Sequence, residues 1–305
     1  MSLIEKAAAK LKKRESLVER AAKELKTVPE GDNGNVISKD NQSSAPENLP
    51  LDGNVKDIKQ NKKVILNNDV LRRNNIPVSD DADSSVTTEE FRIIKRSLLL
   101  NAFNKGEGAI ENGNIVLVTS TEPDEGKTFC AISLALSMAA ERDLTVLLVD
   151  ADVSKPDVLN MLGVKGDKGL IDVVENKDMD LSECLLRTSI PNLTILPAGK
   201  KHKLTTELFA SDRMIEIIAE IAKRYRDRII IIDSPPVLAS SAASVLAMHV
   251  GQILYVVEAE KTRQEELGEA IKMIEKCKNI NLLLNKTRFV GGKKKFGSYY
   301  GYGND

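Results

Sequence analysis

The sequence predicts an α/β fold, a mostly parallel sheet with helices on both faces. Three observations predict it. Short apolar runs recur at the length of buried strands, helical stretches stand between them, and hydrophobic residues make up 42% of 305 residues, enough for one sizeable core. The runs are Ile115–Val118, Val146–Val149, Leu193–Leu196, Ile229–Ile232, Ile253–Val257 and Leu282–Leu284. Between them Phe129–Ala140, Arg213–Arg224, Ala242–His249 and Arg263–Cys277 carry helical spacing. Strands that alternate with helices imply parallel pairing, because each crossover helix must cover a face of the sheet. No internal repeat is visible.

What flanks this region differs in composition. Residues 1–27 predict a helix, with Ile4, Leu11, Val18 and Leu25 recurring every seven residues and basic residues outnumbering acids. Docking on an anionic membrane, docking on a partner helix and a solvated helix all remain open for it. Residues 28–87 turn to Asn, Asp, Ser, Gly and Pro, which bury too little surface to offset ordering entropy, so they read as a flexible linker. Within it, a short island from Lys63 to Leu71-Arg-Arg is a weak candidate for local structure. Residues 88–290 form the α/β domain, and 291–305 a flexible tail rich in Gly and Lys with Tyr299, Tyr300 and Tyr302. Tyr225 and Tyr255 sit in core-like patterns and read as packing residues.

Composition narrows the function classes. Lys and Arg total 44 against 45 for Asp and Glu, a net charge of −1, which argues against a globally basic nucleic-acid binder. The three cysteines, Cys130, Cys184 and Cys277, cannot form a disulfide framework. With two histidines and no CxxC, a zinc or iron–sulfur site is not expected. No apolar run approaches the ~18–20 residues that span a bilayer, and the charged N-terminus is not a signal peptide. The expectation is a soluble cytoplasmic protein.

The chemistry concentrates where strands end. The run Ile115-Val-Leu-Val-Thr-Ser-Thr-Glu-Pro-Asp-Glu-Gly126-Lys127-Thr128 leads a strand into a tight loop and then a helix. A phosphate loop needs this order: backbone N–H groups hold the phosphates, Lys127 reaches their oxygens, and the Thr128 hydroxyl binds Mg²⁺. Thr121 stands where such loops usually begin with glycine. Asp150 and Asp152 end the second strand and Asp233 another, before Ser-Pro-Pro. Ligands of open parallel sheets bind beyond the carboxyl ends of the strands, so these three acids are expected to converge on the loop and hold Mg²⁺ directly or through water.

The stretches Thr119–Thr128, Leu147–Pro156 and Ile229–Pro236 resemble the three Walker-type motifs of bacterial tyrosine kinases, the BY-kinases. The similarity runs from Glu89 to Arg288 through Gly169-Leu-Ile-Asp-Val, Leu196-Pro-Ala-Gly, Glu207-Leu-Phe-Ala-Ser and Leu284-Asn-Lys, and the tyrosine-bearing tail also matches. The opening Met1-Ser-Leu-Ile-Glu-Lys-Ala and the run Glu90–Ala102 resemble more narrowly the stand-alone tyrosine autokinases of exopolysaccharide loci with exosortase/PEP-CTERM systems.

This resemblance implies a P-loop NTPase fold of the deviant Walker A type, with ATP and Mg²⁺ as cofactors. It implies nucleotide contacts from Thr121, Pro123, Asp124, Glu125, Gly126, Lys127, Thr128 and Phe129, and catalytic roles for Lys127, Asp150 and Asp152. Asp150 would deprotonate or orient the attacking tyrosine, while Thr128, Asp152 and Asp233 would organise the metal. The phosphoacceptors would be Tyr299, Tyr300 and Tyr302. Glu89, Arg92 and Lys95 occupy the family's subunit-contact motif, implying a homo-oligomer such as a ring, although Lys95 replaces an arginine and loses its bidentate fork. A membrane chain-length protein is the implied partner, holding the kinase at the inner membrane face. The segment Ala239–Leu246 lacks the acid that often follows the Pro-Pro motif.

Two rival readings remain. A partitioning or septum-placement ATPase of the same fold places a lysine early in the loop, where this chain has Glu122. A non-catalytic scaffold that binds ATP shares most of these residues.

Overall fold

The computed structural model describes residues 63–77, 86–106, 108–224 and 228–288. The helix expected at 1–27, most of the linker, Tyr225 and the tail with its three tyrosines lie outside the described residues. A seven-stranded sheet runs in the order β3-β4-β2-β5-β1-β6-β7. Its strands are β1 Ile115–Ser120, β2 Thr145–Asp150, β3 Leu186–Arg187, β4 Leu193–Leu196, β5 Arg228–Asp233, β6 Gln252–Glu258 and β7 Ile280–Asn285. All pairings are parallel except β3 with β4. The expected strands are all present, and β3, two residues long, is too short for periodicity to reveal.

Helices α1 Asn68–Arg73, α2 Val86–Ala102, α3 Lys127–Ala139, α4 Val158–Leu162, α5 Leu170–Glu175, α6 Thr205–Phe209, α7 Asp212–Arg224, α8 Ser241–Ala247 and α9 Gln264–Met273 cover the sheet. Alternation along the central strands splits the core into two layers. Val116, Val118, Leu148, Ile231 and Leu254 pack with α2, α3 and α4, whereas Leu117, Leu147, Ile230, Ile232 and Tyr255 pack with α5, α7 and α8. Because both faces are covered, the central strands read as continuous apolar runs. No helix among the described residues is long and apolar enough to cross a membrane.

Residues 63–77, which composition assigns to the linker, carry packed structure. Leu66, Leu71 and Ile76 are buried in the layer that holds α3 and α4, and Asn67 caps α1 by accepting from the N–H groups of Asp69 and Val70. The island supplies three apolar side chains, each anchored in the main core, which is why a polar stretch orders there.

Helix α2 packs Phe91 and Leu98 inward, with Phe91 edge-on to Phe129 at 6.0 Å between ring centroids. On the helix surface Glu89 pairs with Arg92. Lys95 turns inward instead, donating to the Ser137 carbonyl at 3.1 Å and to Glu141 at 2.6 Å. The three motif residues therefore do not share one free face.

The start of β6 is tied to the end of α2 by a buried amide. Gln252 Nε2 donates to the carbonyls of Leu98 and Gly113, and its Oε1 accepts from Asn101 Nδ2 at 2.9 Å. Gln252→Leu keeps most of the volume and strands all three partners, so it is expected to cost about 2–3 kcal/mol in urea unfolding. An unchanged midpoint would show that this amide contributes nothing.

Candidate nucleotide and acid site

β1 and α3 share the loop at residues 121–126, and the loop's shape comes from the side chain of Glu125. That carboxylate is buried and turned into the protein, where Oε2 accepts from the N–H groups of Thr121 at 2.7 Å and Glu122 at 3.0 Å. Oε1 accepts from the Thr262 hydroxyl. The Thr121 hydroxyl shares a hydrogen bond with Tyr255 at 2.9 Å, and Asn285 Nδ2 donates to the Glu125 carbonyl at 2.9 Å. Residues of β6, of the turn after it and of β7 thus brace the loop from one side. Gly126 then opens α3 at φ 97°, a left-handed conformation that a side chain would strain, and a Cβ there would meet the Asn285 amide.

Lys127 follows, 8% exposed, with Nζ 3.0 Å from Asp152 Oδ2. Asp152 also accepts from the N–H of Lys155 at 3.1 Å, and Lys155 Nζ reaches Asp124 Oδ1 at 2.7 Å across the loop's exposed tip. This hydrogen bond, with the lysine's charge, lowers the Asp124 pKa. Lys286 donates to the Asp124 carbonyl at 2.6 Å.

Asp150 and Asp233 face each other as register partners at the ends of β2 and β5. Asp150 Oδ1 accepts from the N–H of Asp152 at 3.2 Å and Oδ2 from the N–H of Val158 at 3.3 Å. Burial, and then the charge of Asp233, nevertheless raise its pKa to about 8. Asp233 is fully buried and neither oxygen completes a hydrogen bond. Burial raises its pKa to about 7, while Lys127 and the Thr128 hydroxyl draw it down.

The structure brings Lys127, Thr128, Asp150, Asp152 and Asp233 together at the head of α3. Their contacts divide them more sharply than their positions in sequence suggest. Asp152 holds Lys127, whereas neither oxygen of Asp233 completes a hydrogen bond, and the nearby Thr128 hydroxyl and the charge of Lys127 favour its ionised form. Thr121 and Glu125, expected at the nucleotide, have side chains directed into the fold, and Phe129 packs on α2. The backbone of Thr121 and Glu125 remains in the loop, and Phe129 lies in the first turn of α3. Pro123 and Asp124 lie exposed at its tip. Thr262, Asn285, Lys286 and Lys155 carry no local sequence signal of these contacts, although the last three stand in motif stretches. Tyr255 packs as expected and also holds the loop.

Among the described residues no group of three or more His, Cys, Asp or Glu could hold a metal by itself. Mg²⁺ does not need one, because it keeps several waters and takes one or two carboxylates plus phosphate oxygens. A buried carboxylate with both oxygens unsatisfied beside a threonine hydroxyl fits that demand.

A family model described as an AAA domain (AAA_31) matches residues 114–286. The chain is 29% identical over 227 residues to the protein named "Putative tyrosine-protein kinase CapB" of Staphylococcus aureus, covering 74% of this chain and 94% of CapB. It is 29% identical over 261 residues to the tyrosine-protein kinase Wzc of Salmonella typhimurium, covering 75% of this chain but 35% of that longer protein. Among solved structures, the kinase domain of the Escherichia coli tyrosine kinase Etk aligns with a TM-score of 0.58 and 27% identity, over 71% of this chain and 83% of that domain.

The ion pair makes Lys127 a partner in the fold. Lys127→Met leaves the Asp152 carboxylate buried without its cation and is expected to cost about 3 kcal/mol. Adding Asp152→Asn removes the stranded charge, so the double variant should recover most of that loss in denaturant unfolding. Strictly additive losses would show that the two groups are uncoupled.

The two raised carboxyls set a second expectation. Between their unfolded value near 4 and their folded values of about 7 and about 8, the folded state binds more protons than the unfolded state. Their contribution to stability is therefore full at low pH and falls as pH rises through that window. Thermal melts of nucleotide-free protein should show a shallower fall for Asp233→Asn than for the parent; identical slopes would contradict the placement.

Proposed function

Since the chain belongs to the AAA-domain family and is similar across that domain to bacterial tyrosine kinases, we propose that it is an ATP-dependent protein-tyrosine autokinase. The observation that carries the reading is the contrast between two adjacent carboxylates. Asp150 is held by two backbone N–H groups, and Asp233 is buried with neither oxygen completing a hydrogen bond. One suits a proton acceptor and the other suits a metal with its waters.

In this reading the loop amides and the N-terminus of α3 bind the phosphates, and Lys127 leaves or shares Asp152 to contact them. Bound ATP with Mg²⁺ supplies the phosphoryl group and neutralises its charge. Asp150 would orient the tyrosine hydroxyl or take its proton as that oxygen attacks the γ-phosphate and ADP leaves, Thr128 and Asp233 would hold the metal's shell, and Asp152 would keep Lys127 in reach. Most of the rate enhancement then comes from positioning and charge neutralisation. The phosphoacceptors are Tyr299, Tyr300 and Tyr302, in the segment that follows the domain.

The resemblance of residues 1–7 and 90–102 to exopolysaccharide-locus kinases supports a role in polysaccharide polymerisation or export. It supports a membrane chain-length protein as partner, a location at the inner membrane face, and assembly of the kinase with itself. Oligomer contact would rest on Glu89 and Arg92 more than on Lys95, which is held by Glu141.

The test is incubation with Mg-ATP followed by phosphotyrosine mass spectrometry. The wild type is expected to label its tail, and Asp150→Asn to lose about 10²-fold or more in rate. Replacing all three tail tyrosines by Phe should remove most labelling and leave nucleotide binding intact. Released phosphate with an unmodified tail would support a switch ATPase; bound nucleotide with neither product would support a scaffold.

A further inference from the structure

Residues 63–77 lie outside the matched domain at 114–286, yet they reach the site through α4. Helix α4 has five residues, too few to be stable on its own, and it follows the loop that carries Asp152 and Lys155. Each of its last carbonyls has a partner. Those of Leu159 and Asn160 accept from Val164 and Gly163 within its own turn. Those of Met161 and Leu162 accept from residues 63–77: Asn74 Nδ2 donates to Met161 at 3.1 Å, and the Asn67 N–H to Leu162 at 3.2 Å. At the opposite end of α4, the Val158 N–H is the donor to Asp150 Oδ2.

The packing supports the same connection. Leu66, Leu71 and Ile76 share a buried layer with Val158 and Leu162. Gly163, which ends α4 at φ 67°, approaches the segment so closely that a Cβ would lie 2.7 Å from that of Asn67. The segment is anchored to the sheet edge as well. Val64 forms a parallel bridge with Thr188 and donates to the Arg187 carbonyl at 2.8 Å, and the Leu66 N–H donates to the Ser189 hydroxyl at 3.2 Å.

We infer that residues 63–77 are a positioning strap for Asp150, which close the C-terminal end of α4 and thereby hold the N–H that orients the carboxylate at its other end. The strap touches no reacting atom. It makes the segment before the matched domain a working part of the site. The inference rests on the role proposed for Asp150.

The variants are made in the full chain. Asn74→Asp keeps the shape of the side chain and removes the N–H given to Met161, whereas Leu71→Ala loosens the strap's packing. Both are expected to leave the affinity for a fluorescent ATP analogue within about twofold and to lower tail labelling at saturating ATP by roughly tenfold or more, as misplacement of a reacting group does. Hydrogen exchange should quicken in peptides covering α4 and stay unchanged in β1 and β5. Asn74→Gln, which restores an N–H on a longer arm, should recover part of the turnover.

Wild-type exchange in α4 for Asn74→Asp would overturn the strap. Quickened exchange with wild-type turnover would overturn its positioning role, provided Asp150→Asn is impaired in the same assay. Wild-type labelling by Asp150→Asn would overturn the role given to Asp150 itself.

Discussion

Two carboxylates, Asp150 and Asp233, end neighbouring parallel strands in direct register, at a depth where neither is at ease with a negative charge. This crowding of acid in low dielectric is the constraint that the surrounding structure answers. Lys127 supplies one positive charge from the first residue of α3, but it stands on Asp152. Backbone N–H groups from the loop and α4 take up Asp150. Asp233 feels the charge of Lys127 only at a distance and completes no hydrogen bond. An excess of negative charge with one carboxylate unpaired is costly in isolation and suited to a divalent cation that arrives with phosphates.

The phosphate loop meets a related demand by different means. A loop that presents some of its amides to a ligand must leave those free, so its shape has to be held by its other groups. Glu125 does this by turning away from the ligand side and taking the N–H groups of Thr121 and Glu122. Tyr255, Thr262, Asn285 and Lys286 fasten the same loop to β6 and β7. The right half of the sheet thus acts as a brace, and residues more than a hundred positions away decide where the loop sits.

On the left half, α4 and residues 63–77 do comparable work for the second acid loop. A five-residue helix cannot persist alone, and the donors that complete it come from a segment that composition marks as polar and linker-like. Both halves therefore show short elements completed by distant chain. The cost of each isolated piece is offset once the core has brought the pieces together.

The sequence alone determined the parallel α/β architecture, because strands buried on both faces must be uninterrupted apolar runs and crossover helices must be amphipathic. It also determined which residue types stand at the strand ends, since a phosphate loop and its acids have local spacings that Gly126-Lys127-Thr128, Asp150-Ala-Asp152 and Asp233 display. Partnership was not legible there. That Glu125 braces the loop, that Lys95 turns to Glu141, that Asp152 holds Lys127 while Asp233 is left open, and that residues 63–77 pack at all depend on contacts between residues tens to more than a hundred positions apart. Local propensity carries no record of such contacts, because burial and hydrogen-bond partners exist only after the tertiary structure has chosen which polar groups lose their water.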